Sequence, residues 1–212
     1  MTTSPAEGRR RLPPAARREQ ITTAARDLAL EGGLTALTLR AIAKRVGVAS
    51  GLVAHYEPSM EQLTAATFRT IVSGELDEVR TLVDPAPTGL DRLARLVTTL
   101  LDPGRDAVGA VWADAWSVGR RMPELGQAAR DEMDAWHAFA GEILGQLRDE
   151  GSAGAFDTDS TALELFALID STTAYALVGY RTPTERDTLV RRALEQALGL
   201  EIGTLALRAQ NG

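Results

Sequence analysis

His55 and His137 are the only two imidazoles in the 212 residues, and the chain has no cysteine. Disulfides, thiolate nucleophiles and cysteine-bound zinc are excluded together. Asp134-x-x-His137 puts a carboxylate and an imidazole on one helical face, but a di-metal bundle needs two Glu-x-x-His sets with further carboxylates. There is no glycine-rich phosphate loop, no nucleophile elbow and no serine paired with a histidine base. The residue types therefore point away from catalysis, and neither a cofactor nor a metal site is expected. Binding is the chemistry they can do.

Two groups of side chains could carry it. The first is Thr38, Arg40, Lys44, Ala49, Ser50, Gly51, Leu52, His55 and Tyr56. The Thr38 hydroxyl, with the free N–H groups of Leu39 and Arg40, makes a ready phosphate site. Ser50 suits phosphate or base-edge hydrogen bonds, Leu52 or Ala49 suits thymine methyls, and His55 and Tyr56 suit phosphates. Tyr56 could instead pack against the preceding helix, and Val53 reads as core. Because residues 49–56 contain no Arg, Asn or Gln, Arg40, Lys44 or Arg45 must share the work and DNA shape must matter. The second group is Trp112, Trp116, Met133, Trp136, His137, Phe139, Phe166 and Tyr175, with Asp170 and Thr173 as polar company. Apolar cavities with a few polar groups are made from such residues, although each of them singly could equally be core.

The first group needs two short helices at a fixed angle. Leu39, Ile42, Ala43 and Val46 form the apolar stripe of one helix, Gly47 supplies the left-handed C′ position, and a second helix opens at Ala49 or Ser50. Val48 can plug the angle between them. Helix, glycine turn, helix over residues 39–58 is the spacing of a helix-turn-helix, whose second helix lies in the DNA major groove; an ordinary helical hairpin has the same outline. A preceding helix runs from about Ala15 to Glu31 and stops at Gly32-Gly33. Ser59, with Gln62 three residues later, opens a long helix to about Val83. At ~1.5 Å per residue its 24 residues reach ~36 Å, from a small head into a separate body. Helical periodicity continues to Leu198 with breaks at 84–87, 102–104, between Gly119 and Pro123, at 151–154 and at the Thr182-Pro183 start of the last helix, and no strand pattern or repeat appears. The expectation is an all-α chain of about nine helices: an arm (1–14), a helix-turn-helix domain (15–60), an effector-binding and dimerisation domain (61–200) and a tail (201–212).

Charge supports a DNA-facing head. The net formal charge is -6, yet residues 1–56 hold nine cations against four acids, a balance of +5, leaving -11 for the remainder. A basic head meets phosphates while an acidic body stays away from them. The Arg9-Arg10-Arg11 run is either a solvated tail or an arm that follows a phosphate strand. No apolar run approaches the ~18 residues of a membrane span and the N-terminus has no signal-peptide core, so a cytoplasmic protein with no membrane partner is expected.

Residues 15–63 resemble the N-terminal domain of the TetR (tetracycline-repressor-like) family through Leu39-x-x-Ile42-Ala43, Val46-Gly47-Val48, Gly51, His55-Tyr56, Pro58-Ser59 and Glu61-x-Leu63. Val111-Trp112-Ala113-Asp114-Ala115-Trp116, followed by Pro123-Glu124-Leu125, is similar to the effector domain of the betaine-regulator-like subgroup. The resemblance implies a homodimeric repressor on a palindromic double-stranded DNA operator, released when a small molecule of unknown identity enters the C-terminal body and shifts the long fourth helix. It also implies that helices at about 158–180 and 183–199 pair with their symmetry mates. Glu57 and Met60 depart from the family, which usually has an aromatic and a phosphate-touching lysine there, and Ala54 replaces a common tyrosine. Those departures imply fewer phosphate contacts, and they leave a second possibility: a helical protein–protein adaptor that has kept the fold and lost its DNA contacts.

Overall fold

The computed structural model describes residues 12–210; most of the expected arm and the last two residues lie outside them. Ten α-helices and two 3₁₀ turns make up the architecture, with no strand among the described residues. They are α1 (Pro14–Gly32), a 3₁₀ turn (Leu34–Ala36), α2 (Leu39–Val46), α3 (Ser50–Tyr56), α4 (Met60–Val83), α5 (Gly89–Leu100), a 3₁₀ turn (Pro103–Arg105), α6 (Asp106–Gly119), α7 (Pro123–Asp149), α8 (Thr158–Leu177), α9 (Pro183–Ala197) and α10 (Thr204–Gln210).

Local chemistry sets the helix ends of the head. Thr38 Oγ1 accepts the Ala41 N–H at 3.0 Å and caps α2, a cap that stabilises a helix by about 1 kcal/mol. Gly47 closes it in the left-handed region (φ 74, ψ 40), and the Val48 N–H returns to the Ala43 carbonyl at 2.9 Å. Any other residue at 47 would meet the steric penalty of that conformation. Val48 then packs half-buried against the core, between α2 and α3. Ala49 occupies the N-cap of α3 without a side-chain bond, so Ser50 is free of capping. Ser59 Oγ accepts the Gln62 N–H at 3.2 Å and starts α4; the Gln62 amide reaches instead to Glu124 on α7, at 3.4 Å.

The body wraps around α4 and α7, which pack along one another and carry the largest fully buried side chains, Phe68, Phe139, Ile143, Leu144 and Leu147 among them. Helices α5, α6 and α8 close over α7, and α9 lies on α8. Thr182 and Glu185 form both halves of a capping box at the start of α9.

The tenth helix corrects the sequence-based count of nine and the assignment of residues 201–212 as a tail. Glu195, 1% exposed on α9, accepts the N–H groups of Gly203 and Leu205 at 2.9 and 2.8 Å and so holds the first turn of α10. Arg191 donates to the Leu205 carbonyl at 3.3 Å, to Thr98 Oγ1 on α5 at 2.8 Å and to Asp187 at 2.7 Å. Seven residues are too few to display a helical period, and their anchor is a carboxylate on another helix. Glu195→Ala leaves the buried Leu205 N–H and the half-buried Gly203 N–H unmet, a cost of about 1–3 kcal/mol. Calorimetry should record a melting temperature lower by about 2–4 °C for each of those kcal/mol.

Candidate functional site

The head presents one face built from α2 and α3. Ala49, Ser50, Gly51, Leu52 and His55 are exposed along α3, whereas Val53 is fully buried and fixes the helix to the core. Arg40 and Lys44 project from α2 with no ion-pair partner among the described residues. Thr38 already accepts one N–H as a cap, which leaves its hydroxyl proton to donate outward. Tyr56 is half-buried: its ring lies 5.6 Å below the Arg18 guanidinium of α1 and meets His55 edge-on at 5.4 Å. Arg45 is committed elsewhere, bidentate to Glu31 on α1 with one arm at 3.0 Å. That hydrogen bond holds the Glu31 carboxyl below the ordinary carboxylate range. Met60 packs half-buried on the core at the start of α4.

The body encloses a cavity of about 80 Å³ between α4, α6, α7 and α8, with the end of α5 and the first turn of α9 at its rim. That is small beside the ~300–1,000 Å³ of drug-sized pockets. Trp112 and Trp116 line it from α6, their rings 5.7 Å apart, with Phe68 edge-on to Trp112 at 5.0 Å behind them. Trp136 and His137 come from α7 and meet Phe166 of α8 at 6.0 and 4.8 Å. Met133, Asp170 and Thr173 complete the group expected from sequence. Two candidates are not brought there. Phe139 is fully buried on another face of α7, under the Arg80 guanidinium at 4.3 Å. Tyr175 is 38% exposed on the outside of α8, edge-on to Tyr180.

Several polar groups of the cavity lack partners. The indole N–H groups of Trp116 and Trp136, and Nε2 of His137, are buried without a hydrogen bond. His137 Nδ1 faces the Met133 carbonyl at 2.7 Å. A carbonyl only accepts, so Nδ1 carries the proton, and Nε2 of the neutral ring is an open acceptor. Asp170 is pushed up to about 6 by burial, against the opposing pull of His137. Glu75, from α4, is also raised by burial, while Arg105 at 3.1 Å and the Trp112 indole draw it back.

Glu75, Arg105 and Arg186 line the cavity and were missed in the sequence. A signal existed: Glu75 falls three and four residues from Val72, Ile71 and Val79, and Arg186 four before Val190, so both charges interrupt apolar stripes. A charge at a core-facing position is either paired or aimed at something.

Cavity and head meet through α6. Between Trp112 and Trp116, on the opposite side of the helix, Asp114 Oδ2 accepts the Thr35 N–H of the α1–α2 connection at 3.1 Å. Gly33 makes room for it: at φ 76 and ψ 175, a region open essentially to glycine, a side-chain carbon would fall 2.4 Å from that same oxygen.

Known proteins bear on both parts. Residues 21–67 match the profile of bacterial regulatory proteins of the tetR family, and residues 89–199, just over half of the chain, match that of the BetI-type transcriptional repressor C-terminal domain. The chain is 32% identical over 118 residues to the HTH-type transcriptional regulator BetI of Stenotrophomonas maltophilia (strain R551-3), covering 54% of this chain and 60% of that one. The chain thus spans about three-fifths of the length of the curated relatives it matches. A chain from Saccharomonospora viridis solved in complex with choline superposes with a TM-score of 0.77 at 22% identity, over 85% of this chain and 96% of that one. A TetR-family chain from Rhodococcus sp. gives 0.71 at 18% identity, over 87% and 99%.

The buried Asp170 yields a test that needs no ligand. Its folded value of about 6 lies above the ~3.9 of an unfolded aspartate. Between those values the folded chain binds more protons, so stability falls as pH rises through that window. Urea unfolding from pH 4 to 7 should show wild type losing stability relative to Asp170→Asn across about pH 4–6, the two curves running parallel above it.

Proposed function

The chain belongs to the TetR family of bacterial regulatory proteins, and we propose that it is a dimeric repressor whose grip on a palindromic operator is released by a small organic cation bound in the C-terminal body. The observation that carries this proposal is helix α6, which faces the cavity with Trp112 and Trp116 and, from the residue between them, holds the head through Asp114.

The remaining parts follow from chemistry. Thr38, Arg40, Lys44, the exposed Ala49, Ser50, Gly51, Leu52 and His55, and the half-buried Tyr56 approach the major groove, with phosphates met by the hydroxyls and cations and few bases read by hydrogen bonds. Since Arg45 is tied to Glu31 and Met60 is apolar, phosphate contacts are sparse and the salt dependence shallow. Exposed Arg40 and Lys44, both unpaired, favour DNA over a protein partner as the occupant of this face. In the cavity, tryptophan faces attract a cation at close range, and Glu75 and Asp170 supply negative charge. The ligand class is therefore quaternary ammonium, the class of the choline held by the Saccharomonospora viridis chain.

Dimerisation is proposed through α8 and α9, within the spans 158–180 and 183–199. Leu163, Tyr175, Leu177, Val178, Tyr180 and Leu189 remain exposed there, and an apolar face that large marks an interface. Ala167 and Ala174 allow close helix approach. A two-fold dimer then places its recognition helices about 34 Å apart, on successive turns of DNA. No helix among the described residues is long and apolar enough to cross a membrane, and the proposed site of action is the cytoplasm.

DNA selected from a random pool tests the first half. The pair Arg40→Ala and Lys44→Ala should weaken binding of every selected sequence and flatten the slope of log affinity against log salt by about 2; an unchanged slope places the phosphate contacts elsewhere. The second half is tested by Asp114→Ala. Tryptophan fluorescence should register choline as in wild type, while the ratio of operator affinities without and with choline shrinks by about fivefold. Asp114→Asn, which keeps an acceptor for Thr35, should restore that ratio.

A further inference from the structure

The body of the chain keeps most of its arginines on acids. Eight of them, from Arg69 on α4 to Arg208 on α10, are in ion pairs. Arg120, Arg121 and Arg130 are not, and they gather where α6 turns into α7. Arg120 and Arg121 are exposed, and their side chains make no hydrogen bond or ion pair among the described residues. Arg130, also exposed, donates only to Gln127, at 2.6 Å. It comes back over the turn: its Nη1 lies 3.7 Å from where a side-chain carbon on Gly126 would stand, and Gly126 abuts Gly119. In a body of balance -11, residues 118–130 set these three cations against one acid, Glu124. A lone solvated arginine needs no explanation, but a cluster of one sign in a region of the other is a place for a polyanion.

The position of this corner is set by α4 and α7. Gln62 meets Glu124 at 3.4 Å, Arg69 meets Asp131 at 3.5 Å, and Arg80 meets Glu142 at 3.0 Å. Each pair is 62 residues apart, so the two helices run parallel in a single register. Continued to the helix starts, that register sets Met122 level with Met60, both half-buried on the core, and places Arg120 and Arg121 just before them. Ser59, which caps α4, follows Tyr56 at the end of α3 by three residues, a span of at most ~10 Å. The arginines therefore stand at the end of the body that carries α3. The other charges at this level are acidic: Glu57 and Glu61 flank the start of α4, and Glu124 lies in the first turn of α7. Glu61 has one oxygen buried without a partner and Glu124 receives the Gln62 amide; neither pairs with the arginines. Phosphates brought up by α3 meet three carboxylates here unless cations offset them.

Resting on the operator-binding proposal above, we infer that the α6–α7 corner is a second DNA-contacting surface, in which Arg120 and Arg121 meet phosphates beside the half-site that α3 reads. The sparse phosphate contacts of the head are thus supplemented from the body. The guanidinium fork suits phosphate oxygens, and contacts of this kind strengthen binding to all sequences alike.

The full chain and DNA selected from a random pool test this. Arg120→Ala with Arg121→Ala should weaken binding of every selected sequence by at least about tenfold near ~0.15 M salt, and flatten the slope of log affinity against log salt by about 2. The order of preference among sequences should not change. Both side chains are exposed, so the fold should stand, and Arg120→Lys with Arg121→Lys should keep the slope. Arg148→Ala, at the far end of α7, should leave the slope as in wild type. An unchanged slope in the alanine pair, with Arg40→Ala and Lys44→Ala still flattening it, overturns the corner and leaves the head's reading intact. Equal flattening by Arg148→Ala also overturns it, since net charge alone would then be at work, as does a lysine pair that loses as much slope as the alanine pair. If wild type selects no DNA, the operator reading and the corner fall together.

Discussion

A single oxygen atom joins the two halves of this molecule's proposed behaviour. Asp114 Oδ2 sits in a notch that exists because residue 33 has no side chain, and it takes the N–H of Thr35 in the connection between α1 and α2. The tryptophans on either side of it face the cavity. A rotation or slide of α6 that makes room for a ligand therefore cannot leave the notch undisturbed. The covalent route through α4 is long, and its side chains are packed along α7, so it transmits displacement only by moving a large part of the core. The α6 contact is short, polar and specific, and close-packed interiors shift between discrete arrangements more readily than they deform.

The cavity and the outer corner of the body treat buried charge in opposite ways. Around α10, Glu195 has both of its donors and Arg191 has three acceptors, one of them the Asp187 carboxylate. There, buried charge acts as structure. In the cavity, Arg186 has only a distant carbonyl, two indoles have nothing, and Asp170 is raised until it gives up its charge only slightly below neutral pH. Of the two most buried arginines, the one that braces the fold is satisfied and the one that lines the space is not, while the Glu75–Arg105 pair is the cavity's one matched set of charges.

What the sequence made legible was whatever depended on neighbours in the chain. The Thr38 cap, the Gly47 turn, the Ser59 start and the Thr182–Glu185 box are each decided within a few residues, and they delimit the head and most helices. The tryptophans of α6 were legible through their i, i+4 spacing on a helix with few other large side chains. Phe139 was not: three residues from Trp136, it turns to α4 and Arg80, and only the packing of α7 against its neighbours decides that. Tyr175 was misjudged because an aromatic residue late in an apolar helix serves an outer face as readily as an inner one. Glu75 and Arg186 went unnoticed although each interrupts an apolar stripe, because the stripe was read for its apolar members alone. α10 is invisible to periodicity altogether, since a buried acid on α9 holds it in place.

The clasp around α10 has a bearing on how a ligand would be received. Arg191 fastens α9 to Thr98 of α5 and to the Leu205 carbonyl, and the end of α5 and the start of α9 are the rim of the cavity. That rim is braced by contacts lying outside the ligand's reach and already complete in its absence. Ordering it is part of folding and is not repeated at each encounter, so the conformational entropy lost on binding is confined to the remaining walls. A receptor built in this way has one stiff jaw and one responsive jaw, and the responsive jaw is the one that touches the head.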